Sequence, residues 1–135
     1  MSILLDSDAC IAIIRQRPAL VRERASRAEA QGERIFVSSI SVFELWTGVV
    51  MSDWSEGNTL RLTAFLATIT SIPFEDPDAR IAGEIRGELR RRGQEIGPYD
   101  CLIAAQALRR DFLLITGNIR EFSRVKGLRF ENWTR

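Results

Sequence analysis

The stretch SILLDSDACI, Ser2 to Ile11, runs from three apolar residues, Ile3 to Leu5, into two aspartates, Asp6 and Asp8, before its hydrophobicity resumes. A continuous apolar run this short, closed by a polar residue, suits a strand buried on both faces of a parallel sheet. An aspartate just after such a strand also caps helices well. The stretch therefore reads as strand followed by helix, and the same alternation recurs outward from it. RIFVSS (34–39), SIPF (71–74), FLLI (112–115) and a segment near Leu128 to Glu131 read as further strands. Helices are expected over Ala9 to Arg15, from Pro18 to Gln31 and Gly32, over Ile40 to Met51 as a buried helix, and over Leu60 to Thr68. Two more are expected, one capped by Asp76 and ending at Gly93, the other over Cys101 to Arg110, with loops at Ser52 to Thr59 and Gln94 to Asp100. Short apolar strands alternating with helices predict an α/β fold around a four- to five-stranded, mainly parallel sheet.

At 135 residues the chain fits one domain, 1–135, with one core. It has no histidine, which removes Ser-His and Cys-His nucleophilic machinery, histidine bases and histidine metal ligands. Catalysis on this chain must run on carboxylates and a bound metal. A net charge of +1 gives no global attraction to nucleic acid, so any such attraction must be local. Cys10 and Cys101 lack the spacing of a zinc or redox motif and read as buried thiols of a cytoplasmic protein. No apolar run is long enough to cross a membrane.

In a parallel sheet, ligands bind beyond the carboxyl ends of the strands. Asp6, then Ser38 and Ser39, then Thr116 and Asn118 all follow expected strands, so they should face one crevice. Asp6 alone could be a helix cap, but a second carboxylate two residues later repels it unless a cation intervenes. Glu44 is the only charge in ISVFELWTGVVM, Ile40 to Met51. A carboxylate there needs an arginine, a proton or a shared metal ion. Asp100, before the apolar CLIAAQAL, serves equally as a cap or as a third ligand for a hard divalent cation.

Four blocks in this order, LLDSDACIAII, SSISVFELWTG, IGPYDCLIAAQAL and LLITGNIREFSRVKGLRFENW, resemble the PIN-domain ribonucleases, specifically the VapC-like toxins of toxin-antitoxin pairs. The resemblance implies a three-layer α/β/α domain whose acidic pocket binds Mg2+ or Mn2+ and hydrolyses RNA phosphodiesters. By position, Asp6, Glu44 and Asp100 match the family's acids, and Glu121, or the amide of Asn118, completes the set. Asp8, Ser39, Thr116 and Asn118 are expected to orient groups nearby. Asp8 stands where the family usually has asparagine, and Tyr99 where asparagine is frequent.

The run Arg90, Arg91, Arg92 sits just before the Asp100 loop, as RNA contacts or as a solvated helix end. The resemblance further implies a small cognate antitoxin, a homodimer and larger toxin-antitoxin complexes. Phe43, Trp46, Val50, Met51 and Trp54 are candidates for those interfaces or for plain core. A DxD aspartyl phosphatase or phosphotransferase is a rival reading of Asp6 and Asp8, and a non-catalytic RNA- or partner-binding domain is another. The phosphatase needs a lysine, and the only one is Lys126.

Overall fold

Apolar strands this short bury themselves only by pairing on both sides, and the computed structural model, which describes residues 1–135, pairs them in one sheet. Its strands are β1 (Ser2–Leu5), β2 (Arg34–Ser38), β3 (Thr70–Ile72), β4 (Leu113–Ile115) and β5 (Phe130–Glu131). They lie in the order β3-β2-β1-β4-β5, and every neighbouring pair is parallel. Parallel neighbours need long crossovers, and helices supply them. α1 (Ser7–Arg15) and α2 (Ala19–Ala30) join β1 to β2, and α3 (Ser39–Val50) and α4 (Ser55–Leu66) join β2 to β3. α5 (Asp76–Arg91) and α6 (Pro98–Arg110) lead to β4, and α7 (Ile119–Phe122) leads to β5.

Successive strand residues point to opposite faces, which divides the core in two. Ile3, Leu5, Val37 and Ile115 pack with α1, α2 and Leu62 of α4 on one face. Leu4, Phe36, Ile72 and Leu114 pack with Leu89 of α5, Ile103, Ala104 and Ala107 of α6, and Phe122 of α7 on the other. The result is the expected three-layer α/β/α arrangement. The chain winds outward from β1 to β3, then crosses back to set β4 on the other side of β1. That reversal opens a crevice beyond the carboxyl ends of β1 and β4.

Several boundaries differ from the sequence reading for identifiable reasons. Ser52 to Thr59 is not all loop, because α4 begins at Ser55 with Gly57 inside its first turn. Glycine is needed there, since a Cβ would lie 2.1 Å from the Trp54 ring that covers it. α6 begins at Pro98, so Asp100 lies within its first turn and does not cap it. α7 was not foreseen, being a single turn too short for any periodicity. α3 is not a buried helix: only Ser41 and Leu45 are buried, while Phe43 and Val50 are exposed. Its apolar residues outnumber the faces that neighbouring elements cover.

At the N-terminus of α5 the cap is Glu75, whose N–H donates to Asp78 Oδ2 at 2.8 Å, and Asp76 is the first helical residue. Asp78 is fully buried and accepts from Arg109 Nε at 2.6 Å and Arg110 Nη1 at 2.8 Å. Burial alone would raise its pKa, but the Arg109 hydrogen bond, the Glu75 N–H and Arg110 outweigh burial and hold it below the usual carboxylate range. Its contribution to stability is therefore present above pH 3.8 and lost as pH falls further. Asp78→Ala leaves two arginines without their buried partner and is expected to cost about 3 kcal/mol in denaturant unfolding at pH 7.

Candidate active site

The first carboxylate is placed by the backbone on both of its sides. The Asp6 N–H continues the β1 ladder by donating to the Ile115 carbonyl at 3.1 Å. Its Oδ1 accepts from the Ala9 N–H at 2.8 Å, so it also caps α1. Asp6 is buried, and the buried Thr116 hydroxyl, at the end of β4, favours its charged form. The Thr116 oxygen in turn accepts from the Asn118 N–H at 2.9 Å.

Three further acids come to the same crevice from separate elements. Glu44 is half-buried on α3, and the Ser7 hydroxyl donates to its Oε1 at 2.8 Å. Asp100, on the first turn of α6, and Glu121, on α7, share the side-chain amide of Asn118, which donates to them at 3.3 Å and 2.9 Å.

No ion pair in the structure includes Asp6, Glu44, Asp100 or Glu121. Their charges act on one another instead. Burial, with added repulsion from Asp8 and Glu44, pushes Asp6 up from 3.8 to about 6 despite the hydrogen bonds from Thr116 and Ala9. Burial, then the charge and hydrogen bond of Glu121, then Glu44 and Asp6, push Asp100 up to about 7. An all-oxygen set of repelling carboxylates with no basic partner fits a hard divalent cation. The acids do not close ready-made around one point, for no three of them stand in a ligating arrangement. Like charges without a counter-ion have reason to stand apart.

The other expected residues divide. Thr116 and Asn118 lie inside the site, whereas Asp8 is exposed on the first turn of α1, its side chain makes no hydrogen bond, and it reaches Asp6 only through its charge. Ser39, on the first turn of α3, makes no side-chain bond; the buried neighbour Ser38 caps α3 through Ile40 N–H at 3.0 Å and donates to Gln106. Arg90 and Arg91 are tied to Glu95 at 2.7 Å and Glu88 at 2.9 Å, and Arg92 holds Gln94 and the Arg124 carbonyl. Trp46 packs against the core, whereas Val50, Met51 and Trp54 are exposed.

Sequence reasoning missed Gln106 and Ser7. Gln106 was visible as the one uncharged polar residue within CLIAAQAL, the signal that singled out Glu44; it is fully buried and also donates to the Pro73 carbonyl at 3.1 Å. Ser7 was visible only as a hydroxyl residue standing where the resembled family usually has threonine. An open cavity of about 530 Å3 beside Asn118 is lined by Gly117, Ile119, Arg120, Asn132 and Arg135.

Comparison with known proteins gives this site a family. The PIN domain profile matches residues 3–128. The chain is 36% identical over 134 residues to the tRNA(fMet)-specific endonuclease VapC of Shigella flexneri, covering 99% of each chain. It is 37% identical over 130 residues to ribonuclease VapC2 of Haemophilus influenzae, covering 96% of each. Among solved structures it is similar to a chain of VapBC2 from Rickettsia felis bound to a promoter DNA fragment, with a TM-score of 0.92, 34% identity and coverage of 98% of this chain and 99% of that one. A DNA-bound VapBC from Salmonella typhimurium gives a TM-score of 0.90 at 34% identity, covering 98% of each chain. By sequence and by fold, the chain belongs to the PIN-domain family and, within it, to the VapC ribonucleases.

Proposed function

We propose that this chain is the toxin of a toxin-antitoxin pair, an endoribonuclease that cuts RNA phosphodiester bonds with Mg2+ or Mn2+. The observation that carries the reading is the set of four acids without a basic partner at the switch point between β1 and β4. Asp6, Glu44, Asp100 and Glu121 would hold the cation. When bound, it would lower the pKa of a coordinated water and neutralise charge on the phosphate. The chain does the rest by holding its acids in place. The Ala9 N–H fixes Asp6, Ser7 fixes Glu44, and one Asn118 amide sets Asp100 and Glu121 relative to each other.

An acidic pocket repels a polyanion, so positive charge must stand beside it. Arg120 and Arg135 line the cavity next to Asn118 and have no ion-pair partner. We assign them the phosphates flanking the cut, and leave to outer phosphates Arg90 and Arg91, engaged in surface ion pairs, and Arg92, hydrogen-bonded to Gln94 and the Arg124 carbonyl. Arg120→Ala is expected to raise KM for RNA about tenfold and to reduce the slope of log affinity against log salt by about 1.

The VapBC complexes among its structural relatives support a small antitoxin partner. We place protein contacts, including those of a homodimer, at the exposed Val50, Met51, Trp54 and Leu60. No helix is long and apolar enough to cross a membrane, and Cys10 and Cys101 are buried and unbonded, which supports the cytoplasm as the compartment.

The test is incubation of the purified protein with labelled RNA and Mn2+. Internal cuts that stop when a chelator is added are the expected result. Phosphate release from p-nitrophenyl phosphate without RNA cleavage would instead favour the DxD reading.

A further inference from the structure

Two half-exposed aromatic rings neighbour two of the acids in sequence and belong to neither core cluster. Phe43 precedes Glu44 on α3, and Tyr99 precedes Asp100 on α6. Their rings meet edge to face, with centroids 5.4 Å apart and planes at 71°. Phe43 is 51% and Tyr99 45% exposed. An edge-to-face pair holds its rings in fixed relative orientation and leaves ring surface open.

We infer that Phe43 and Tyr99 form a stacking platform for one unpaired nucleobase of the RNA beside the cleaved phosphate. The inference rests on the ribonuclease reading of the adjoining acids. α3 itself carries no basic residue and its one charge is Glu44, the arginines that share the Glu44 pocket, Arg15 and Arg61, coming from α1 and α4. What the two rings themselves offer is an uncharged surface. Every base has a π-face, and single-stranded nucleic acid is held by stacking on such rings.

Size separates a base from a protein as the occupant. A stable protein interface covers about 800 Å2 on each partner, whereas two half-exposed rings offer an area on the order of one base. The larger set of exposed apolar residues, Val50, Met51, Trp54 and Leu60, runs from the end of α3 through the α3–α4 connection into α4. Because each ring adjoins a carboxylate in sequence, a base on the platform would be fixed relative to the groups that meet its phosphate.

The test uses the full chain and a short single-stranded RNA carrying 2-aminopurine, whose fluorescence is quenched on stacking. Binding is read in the Asp6→Asn background and KM in the otherwise wild-type protein. Tyr99→Ala and Phe43→Ala are expected to lose the quenching and to weaken binding and raise KM about 5- to 150-fold. Their thermal unfolding should stay within about two degrees of the parent, and Tyr99→Phe should retain both binding and quenching. An RNA with an abasic nucleotide at the cut should bind wild type as weakly as Tyr99→Ala binds the intact RNA, with no further loss when the two changes are combined. Equal losses on intact and abasic RNA would overturn the inference, as would unchanged RNA binding with weakened antitoxin binding or self-association. Tyr99-dependent quenching without cleavage would sink the ribonuclease reading alone.

Discussion

Asp6→Asn is expected to lower RNA cleavage by at least about 100-fold and, in chelator at pH 8, to make the protein more stable. The two effects share a cause. Asp6 is buried, and burial with repulsion from Asp8 and Glu44 raises it from 3.8 to about 6. An acid whose folded pKa is raised contributes stability that is present below pH 3.8 and lost as pH rises through about 6. At pH 8 the ionised group therefore costs on the order of 3 kcal/mol at 1.36 kcal/mol per unit. Asparagine keeps the α1 cap, because its side-chain oxygen still accepts the Ala9 N–H and it caps as well as aspartate. Removing only the charge should raise the melting temperature by several degrees. Asp6→Ala, which also removes the cap, should recover less, and calorimetry of the three proteins in chelator reads the difference.

The second large effect is a pH-dependent response to cation. At pH 8 Asp6 and Asp100 are ionised, and Mn2+ at about a hundred times its dissociation constant should stabilise the fold by about 2.7 kcal/mol. At pH 5.5 protons compete for both groups, given pKa values of about 6 and about 7. The competition factors are about 4 and about 30, so affinity falls about 100-fold and the thermal shift nearly disappears. Without cation the trend reverses: the protein grows less stable from pH 4 to 8 as the two acids ionise. An equal Mn2+ shift at both pH values would place the ion elsewhere.

The sheet and the carboxyl-end crevice were legible in the sequence because ILL, RIFVSS and FLLI are too short and too apolar for anything but buried strands. Asp6, Glu44 and Asp100 were legible for the same reason, as lone charges against apolar runs that burial makes costly. What was not legible depends on contacts across the chain. Ser38 and Ser39 look alike in sequence, and only the position of Gln106 on α6 decides which is buried. α3 reads as a buried helix because no local pattern reports that part of its surface is left uncovered. Gly57 reads as a loop former because the Trp54 ring above it is a matter of packing, not of propensity. Asn118 was expected to orient groups or to complete the acids with its amide, but that this one amide joins Asp100, eighteen residues before it, to Glu121 depends on how α6 and α7 pack.

The claim on which the rest depends is that these acids hold a divalent cation. Titration of the metal-free protein with Mn2+ at pH 8, following free Mn2+ by electron paramagnetic resonance, tests it directly. Wild type is expected to take up the ion, and Asp6→Asn/Asp100→Asn, folded by calorimetry, to leave it free over the same range. Equal uptake by the double variant, or RNA cleavage by a wild-type protein that takes up none, would contradict the account.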